Sequence, residues 1–427
     1  MDASSARKLN PLTSIRFLAA AAVVSVHMMM QFSSQPHPDW LRWANLVSLY
    51  FVLSGFILTY VYFSHLKLEK WRFLLARIAR LWPAHVTAII LIWLAVPDYI
   101  GPKFSLGKLA ATLVMAHAWV PSPDYWLSFV PAAWSISTEF GFYLCFPFLL
   151  YQWERTWRWK LAASFLLLCG VILLLEAERT HLIRWMGPPW RLWFYVHPLS
   201  RLFEFTLGMA TFQLWRCFAR KINNGLIVAT IWECLALIFL LLTLWQAPAW
   251  ADLVAKSGFF GSEFVGLWLR MASCCLGSAV LIFVLALEQG WIARLLSYSV
   301  AVLLGELSYS IYLIHQGFLF YYAAHQKDLA TIPLWAIVPI ISLIILAVAY
   351  LIWAVIERPC RHFLINLGPT PANAVAVELP ASMIRPKGAI SSSRTQIILP
   401  SKRGIFIASA TLLVALIPLV FFSLFRA

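Results

Sequence analysis

The sequence predicts an all-α protein: a polytopic bundle of transmembrane helices with ten core spans and an eleventh at the C-terminus. Three observations carry that prediction. Hydrophobic residues make up 62% of the 427 residues and charged residues only 12%, against roughly 45–50% and about 25% in a soluble domain. Apolar runs of roughly 20 residues, long enough to cross a bilayer, recur along nearly the whole chain. Basic residues outnumber acidic ones 33 to 18, and they concentrate in alternate connections between the runs. A water-soluble fold of this size would expose far more charge. A disordered chain would hold fewer aromatic and aliphatic residues.

The runs cover 12–31, 45–63, 84–100, 132–151, 160–176, 198–217, 225–246, 266–288, 298–322, 333–356 and 404–425. The first follows Arg7 and Lys8, as in a signal peptide, but Arg16 interrupts what would be its uncharged core. It is therefore read as a retained helix. Before the third run, Pro83 is expected to end one helix or begin the next. The fourth run opens after Pro131 with Trp134-Ser-Ile-Ser-Thr-Glu139. Residues 367–403 contain Pro369, Pro371, Pro380, Pro386 and three serines at 391–393, and are expected to form a flexible cytoplasmic linker. That linker would join a transmembrane domain of residues 1–366 to a last helix within 404–427. No repeat of 20–50 residues is apparent.

Placing the N-terminus in the cytoplasm puts 21 of the 33 Lys and Arg on inner segments and 11 on outer ones, with Arg16 inside the first span. Basic inner loops are the rule for helical membrane proteins. They account for the formal charge of +15 without a nucleic-acid partner. The seven cysteines are odd in number and lack CxxC spacing, so neither a disulfide framework nor a zinc site is expected. They read as small apolar residues, and no metal is implied.

An ionisable residue at the centre of a membrane helix costs about 2.5–3.5 kcal/mol on insertion scales, so each one inside a span calls for a reason. Arg16, His27, Glu139, Glu204, Glu233, Glu306 and His315 are such residues. Arg16 and His27 are eleven residues apart, almost three turns, so they share a face and stand about 16 Å apart along the axis. They offer an anion-binding group on one side and a base or nucleophile on the other. Ser135 and Glu139 share a face at i, i+4. Arg77 and Arg80 share one at i, i+3, where arginines either bind phosphate bidentately or simply anchor the inner edge. Ser308, Tyr312 and His315 form a polar stripe, for which a hydrogen-bonded helix seam is the plain alternative. Tyr50-Phe-Val-Leu-Ser54-Gly55 ends in a small pair suited to close helix packing. Glu233 and Glu306 receive no role.

Taken in order, these fragments resemble the membrane-bound acyltransferase 3 family, which O-acylates sugars of the cell envelope and related acceptors. The resemblance spans roughly residues 8–364. It runs through Arg16 with His27, Tyr50–Gly55, Arg77-x-x-Arg80-x-x-Pro83 and Trp134–Glu139. It continues with Arg201-Leu-Phe-Glu204-Phe-Thr-Leu-Gly208, Ser308-Tyr309-x-x-Tyr312-Leu-x-His315 and Glu357-Arg358-Pro359.

The resemblance implies an enzyme of a bacterial cytoplasmic membrane. Its donor substrate is acyl-CoA, most commonly acetyl-CoA, bound from the cytoplasm, with no permanently bound cofactor. Its acceptor is a hydroxyl of an exopolysaccharide, lipopolysaccharide or similar glycan or glycolipid. Carried onto this chain, Arg16 and His27 are the essential pair, and Glu139 lines the site, orienting His27 or the sugar. Arg77 and Arg80, with Arg72 or Arg16, would hold the donor's phosphates. Trp134, Ser54, Tyr312 and His315 fall on the substrate side, and Ser54, Tyr312 or Trp134 would donate to the oxyanion. His27 would act either as general base or as an acyl-accepting nucleophile.

Two departures limit the carry-over. Phe140 stands where many members have a second acidic residue, so a paired-carboxylate mechanism is not expected. Many relatives also have an outer esterase-like domain after the last span, and none is expected after Ala427. Two other functions fit the composition: a transporter or flippase of lipid-linked glycans, and a non-catalytic subunit of a polysaccharide assembly complex. Missing repeats and the absence of paired broken spans weigh against the first.

Overall fold

A computed structural model describes residues 7–33, 38–64, 68–101, 104–179, 181 and 190–366. The linker expected at 367–403 and the helix expected at 404–427 lie outside the described residues. Within the described residues the chain is helix, turn and loop, with no strand. The N-terminal half contributes α1 (Asn10–Phe32), α2 (Val47–Tyr62), α3 (Lys70–Ala95), α4 (Trp134–Leu150), α5 (Trp153–Ala177) and α6 (Pro198–Phe218). After them come α7 (Leu226–Lys256), α8 (Ser262–Ala272), α9 (Cys274–Leu285), α10 (Ser299–Ala324) and α11 (Leu334–Leu351). A π-helical turn, Ile352–Glu357, leads from α11 into α12 (Arg358–Asn366).

Among the described residues, seven helical stretches are long and apolar enough to cross a membrane: Asn10–Phe32, Arg42–Tyr62, Lys70–Ala95, Trp153–Ala177, Leu226–Lys256, Ser262–Leu285 and Leu334–Leu364. The stretches expected as spans at 132–151, 198–217 and 298–322 also form helices, α4, α6 and α10, but are not among these seven. The reason is their polar content. α4 is only 17 residues long and carries Glu139, α6 carries Arg201 and Glu204, and α10 carries Glu306, Ser308, Tyr312 and His315.

One expected boundary is corrected. α3 runs unbroken from Lys70 to Ala95, so Pro83 neither ends nor begins a helix, and the span expected at 84–100 starts much earlier. A proline inside a helix removes one backbone hydrogen bond, and here it is buried within an otherwise continuous helix whose Thr87 hydroxyl donates to the Pro83 carbonyl at 2.8 Å. The span expected at 266–288 is found at Ser262–Leu285, as α8 and α9 joined at Ser273.

Glycines set the closest helix contacts. A Cβ on Gly55 of α2 would lie 1.9 Å from the Phe205 carbonyl oxygen, and one on Gly208 of α6 would lie 1.8 Å from that of Val52. The two helices therefore touch backbone to backbone through reciprocal gaps. Gly305 does the same for α10 against Thr13 of α1. Because Gly305 lies beside Thr13 and His315 beside His27, α1 and α10 run parallel.

Several of the costly residues are structural. Glu233 accepts backbone N–H groups from Gly290 (3.1 Å), Ile292 (2.8 Å) and Ala293 (3.3 Å), tying α7 to the first turn of a short helix, Trp291–Leu296, that precedes α10. Glu306 pairs with Lys8 at the N-terminal end of α1. Arg201 and Glu204, both buried, pair at 3.0 Å. Arg201 also donates to Ser48 of α2 at 3.0 Å and lies over the Phe51 and Tyr195 rings. The pair lies on α6, and the Arg201–Ser48 hydrogen bond joins it to α2. Breaking the pair would leave an uncompensated charge.

Candidate functional site

The bundle encloses a cavity with about 80 Å³ of space for water-sized molecules, room for several waters rather than one. Five helices line it. α1 supplies Arg16, α2 supplies Val47, Tyr50, Phe51, Ser54, Ile57 and Leu58, and α3 supplies Arg77, Arg80 and Leu81. α4 supplies Ser135, Ile136, Glu139 and Tyr143, and α10 supplies Ser308, Tyr309 and Tyr312. Polar lining residues on α2, α3, α4 and α10 recur at three- and four-residue spacing, so these helical faces converge on one axis with Arg16 of α1.

One end of the cavity is cationic. Arg16, Arg77 and Arg80 face it with Glu139 as their single carboxylate among the lining residues. Neither Arg16 nor Arg80 makes a side-chain hydrogen bond or close ion pair among the described residues. Arg77 reaches the Tyr62 hydroxyl only at 3.5 Å and lies near the Tyr62, Phe73 and Tyr143 rings. Glu139 is held by two hydroxyls on one oxygen: Ser54 donates at 2.9 Å and Tyr143 at 2.5 Å. Guanidinium groups inside a bundle with so little carboxylate to pair them form a site for an anion.

The other end is a hydrogen-bonded histidine pair. Tyr312 and Ser135 close the cavity, their hydroxyls 3.1 Å apart and both directed at the Ala132 carbonyl. One turn further along α10, His315 is fully buried. Its Nδ1 lies 2.6 Å from the Tyr312 carbonyl oxygen, and its Nε2 lies 2.8 Å from Nδ1 of His27. The two rings are nearly parallel, at 9°. A carbonyl only accepts, so His315 carries its proton on Nδ1 and its Nε2 accepts. With both rings neutral, His27 must then donate from Nδ1, which assigns the lone pair of His27 to Nε2. His27 itself is half-buried.

This arrangement brings some of the sequence-derived residues together and separates others. Arg16, Ser54, Arg77, Arg80, Glu139 and Tyr312 share the cavity. His27 and His315 stand just beyond its Tyr312 end. Glu139 does not orient His27, because its hydrogen bonds go to Ser54 and Tyr143 and the His27 partner is His315. Trp134 does not line the cavity; its ring packs against Phe51 and Tyr195 beside the buried Arg201. Arg72, on the first turn of α3, does not line it either. Tyr143 lines the cavity without having been named from sequence, and Tyr50 and Tyr309, named there only as parts of motifs, line it too. Tyr50 donates to the Arg16 carbonyl and Tyr309 to the Leu81 carbonyl at 2.8 Å. The available signal was spacing: Tyr143 follows Glu139 by four residues and Ser135 by eight.

Comparison with known proteins covers the same stretch of chain. A family model described as an acyltransferase domain matches residues 11–354. An acyltransferase of Streptomyces mycarofaciens, MdmB, is 27% identical over 410 residues, covering 87% of this chain and 98% of that one. A candidate O-acetyltransferase of Staphylococcus aureus strain COL is 25% identical over 377 residues, covering 83% of this chain and 58% of its own length. A protein of the picA locus of Rhizobium radiobacter is 33% identical over 147 residues, covering 30% of this chain and 75% of that one. No solved structure matches.

Proposed function

The chain belongs to the acyltransferase 3 family and is a membrane acyltransferase, and from that premise we propose that it moves an acetyl or related acyl group from cytoplasmic acyl-CoA to a hydroxyl of an envelope glycan. The observation that carries this reading is a single cavity with three arginines at one end and the His315–His27 pair just past the other. The N-terminus is cytoplasmic, so the Arg77 end faces the CoA pool of a bacterial inner membrane. CoA is a polyanion, and Arg16, Arg77 and Arg80 supply the donors it needs. Its thioester-bearing arm enters along the cavity towards Tyr312.

At the outer end, Nε2 of His27 takes the proton of the acceptor hydroxyl as that oxygen attacks the thioester carbonyl. A C–O bond forms and the tetrahedral intermediate collapses with loss of the C–S bond. The CoA thiolate takes the proton from His27, and the ester product leaves on the outer side. A second route uses the same atom: Nε2 attacks the thioester and the C–S bond breaks to release the CoA thiolate, then the acceptor hydroxyl displaces Nε2 from the acyl carbon and its proton passes to the thiolate. Ser54 and Tyr312 already donate, to Glu139 and Ala132 respectively, so either must turn its O–H to serve the oxyanion. In proteoliposomes holding the full chain, acetyl-labelled acetyl-CoA and an envelope glycan should yield labelled, base-labile glycan ester. No transfer to any envelope glycan tested would overturn the reading.

A further inference from the structure

In sequence, Arg361 is one basic residue among many at the inner edge. In the fold it joins the cationic end of the cavity. The π-helical turn Ile352–Glu357 and α12 both pack along α3, and π turns recur at functional sites because the wider turn re-aims the residues after it. Here it brings Glu357 and Arg361, one helical turn apart, to the side of α3 that carries Arg77 and Arg80. Arg361 interacts electrostatically with Arg80, Arg77, Glu357 and Tyr62. Glu357 interacts with Arg80 and Arg361. Glu357 is buried and is held by the Ser310 hydroxyl at 3.4 Å. Arg77, Arg80 and Arg361 thus lie within electrostatic reach of one another, with Glu357 between Arg80 and Arg361 and Glu139 on the cavity side of Arg80. Arg361 itself is exposed and makes no side-chain hydrogen bond or close ion pair among the described residues.

Gathered cations that outnumber the carboxylates among them repel, and a ligand carrying several negative charges relieves that repulsion. We propose that Arg361 completes, with Arg77 and Arg80, a mouth that takes the phosphate groups of the acyl donor. Arg361 stands at the exposed rim, so it meets the phosphates left outside while the acyl-bearing arm enters the cavity. This rests on the CoA-dependent reading above and adds to it a contact from the last described helix.

The test compares two donors in proteoliposomes: acetyl-CoA, and S-acetylpantetheine, which has no phosphate. Arg361→Gln should raise KM for acetyl-CoA about tenfold, the size of one charge-assisted contact. It should move KM for S-acetylpantetheine by less than about twofold, and Arg361→Lys should recover part of the loss. An unchanged KM for acetyl-CoA, or an equal loss with both donors, overturns the proposal. Direct binding of unacylated CoA to the purified full chain separates the two readings. If Arg361→Gln binds CoA about tenfold more weakly while the unsubstituted chain transfers no acyl group, this inference stands and the functional reading fails. Equal CoA affinity for both chains overturns the inference.

Discussion

Nδ1 of His27 lies 2.8 Å from Nε2 of His315, and that one contact decides which nitrogen of His27 can take a proton. His315 is fixed in turn by the Tyr312 carbonyl at 2.6 Å, one turn back on its own helix. Two parallel helices, α1 and α10, each supply one ring, and Gly305 against Thr13 sets how closely they approach. The reactive lone pair therefore depends on a helix contact some distance away.

His315→Ala removes the acceptor for His27 Nδ1–H and frees the His27 ring to change tautomer. Turnover should fall about 10²-fold, within the range for losing well-positioned general-base catalysis. CoA affinity should stay within about twofold, because His315 does not touch the cationic end. Steady-state transfer combined with CoA binding measures both. A loss of binding as large as the loss of turnover would assign His315 to folding instead.

Removing one arginine from the cavity should weaken donor binding without unfolding the bundle. Arg16→Gln, Arg77→Gln and Arg80→Gln are each expected to weaken CoA binding about tenfold or more. Lys should restore Arg77 and Arg80 only in part, because an ammonium cannot grip phosphate bidentately. Titration of CoA onto the purified variants checks this. Unchanged affinity in all three would remove the cavity from the donor path.

The reciprocal contact of Gly55 and Gly208 makes a stability prediction with its own control. Gly55→Ala forces a methyl into the Phe205 carbonyl, so it should cost about 1–3 kcal/mol or more as an overpacked contact. Gly170 on α5 has no neighbour within 4 Å of where an added methyl would sit. Gly170→Ala should be neutral or stabilising by up to about 1 kcal/mol through helix propensity. Thermal unfolding in detergent compares the two. Equal melting temperatures would contradict the tight crossing of α2 and α6.

Glu233 offers a contrasting case of a buried acid with no part in chemistry. Its carboxylate accepts three backbone N–H groups at the turn Gly290–Ala293, so Glu233→Ala leaves those donors unpaired. The expected cost is about 1–3 kcal/mol of stability, with turnover per folded molecule unchanged. Activity normalised to CoA-binding sites tests it; a selective loss of turnover would place Glu233 in the mechanism after all.

Helix positions and faces were largely legible in the sequence, because apolar runs and three- and four-residue spacing are local properties. The common face of Arg16 and His27, and that of Ser308, Tyr312 and His315, follow from helix geometry alone. What periodicity does not carry is which face meets which. Glu139 was expected to line the site and to orient His27 or the sugar; it lines the cavity, but its carboxylate meets Ser54 of α2 and Tyr143 of its own helix rather than His27. His315 read as one end of a seam, and only the α1–α10 contact reveals its partner. Pro83 was misleading for a different reason: a rule about lost hydrogen bonds describes a cost, and packing along α3 outweighs it. Arg361 was hidden because its place depends on a π turn, which shifts register without leaving a composition signal.

The central claim is that Nε2 of His27 handles the acceptor's proton or the acyl group itself, and His27→Ala tests it most directly. In proteoliposomes with acetyl-labelled acetyl-CoA and a glycan acceptor, the variant should transfer no label while binding CoA as the unsubstituted chain does. Label reaching the glycan at an unchanged rate would contradict the account.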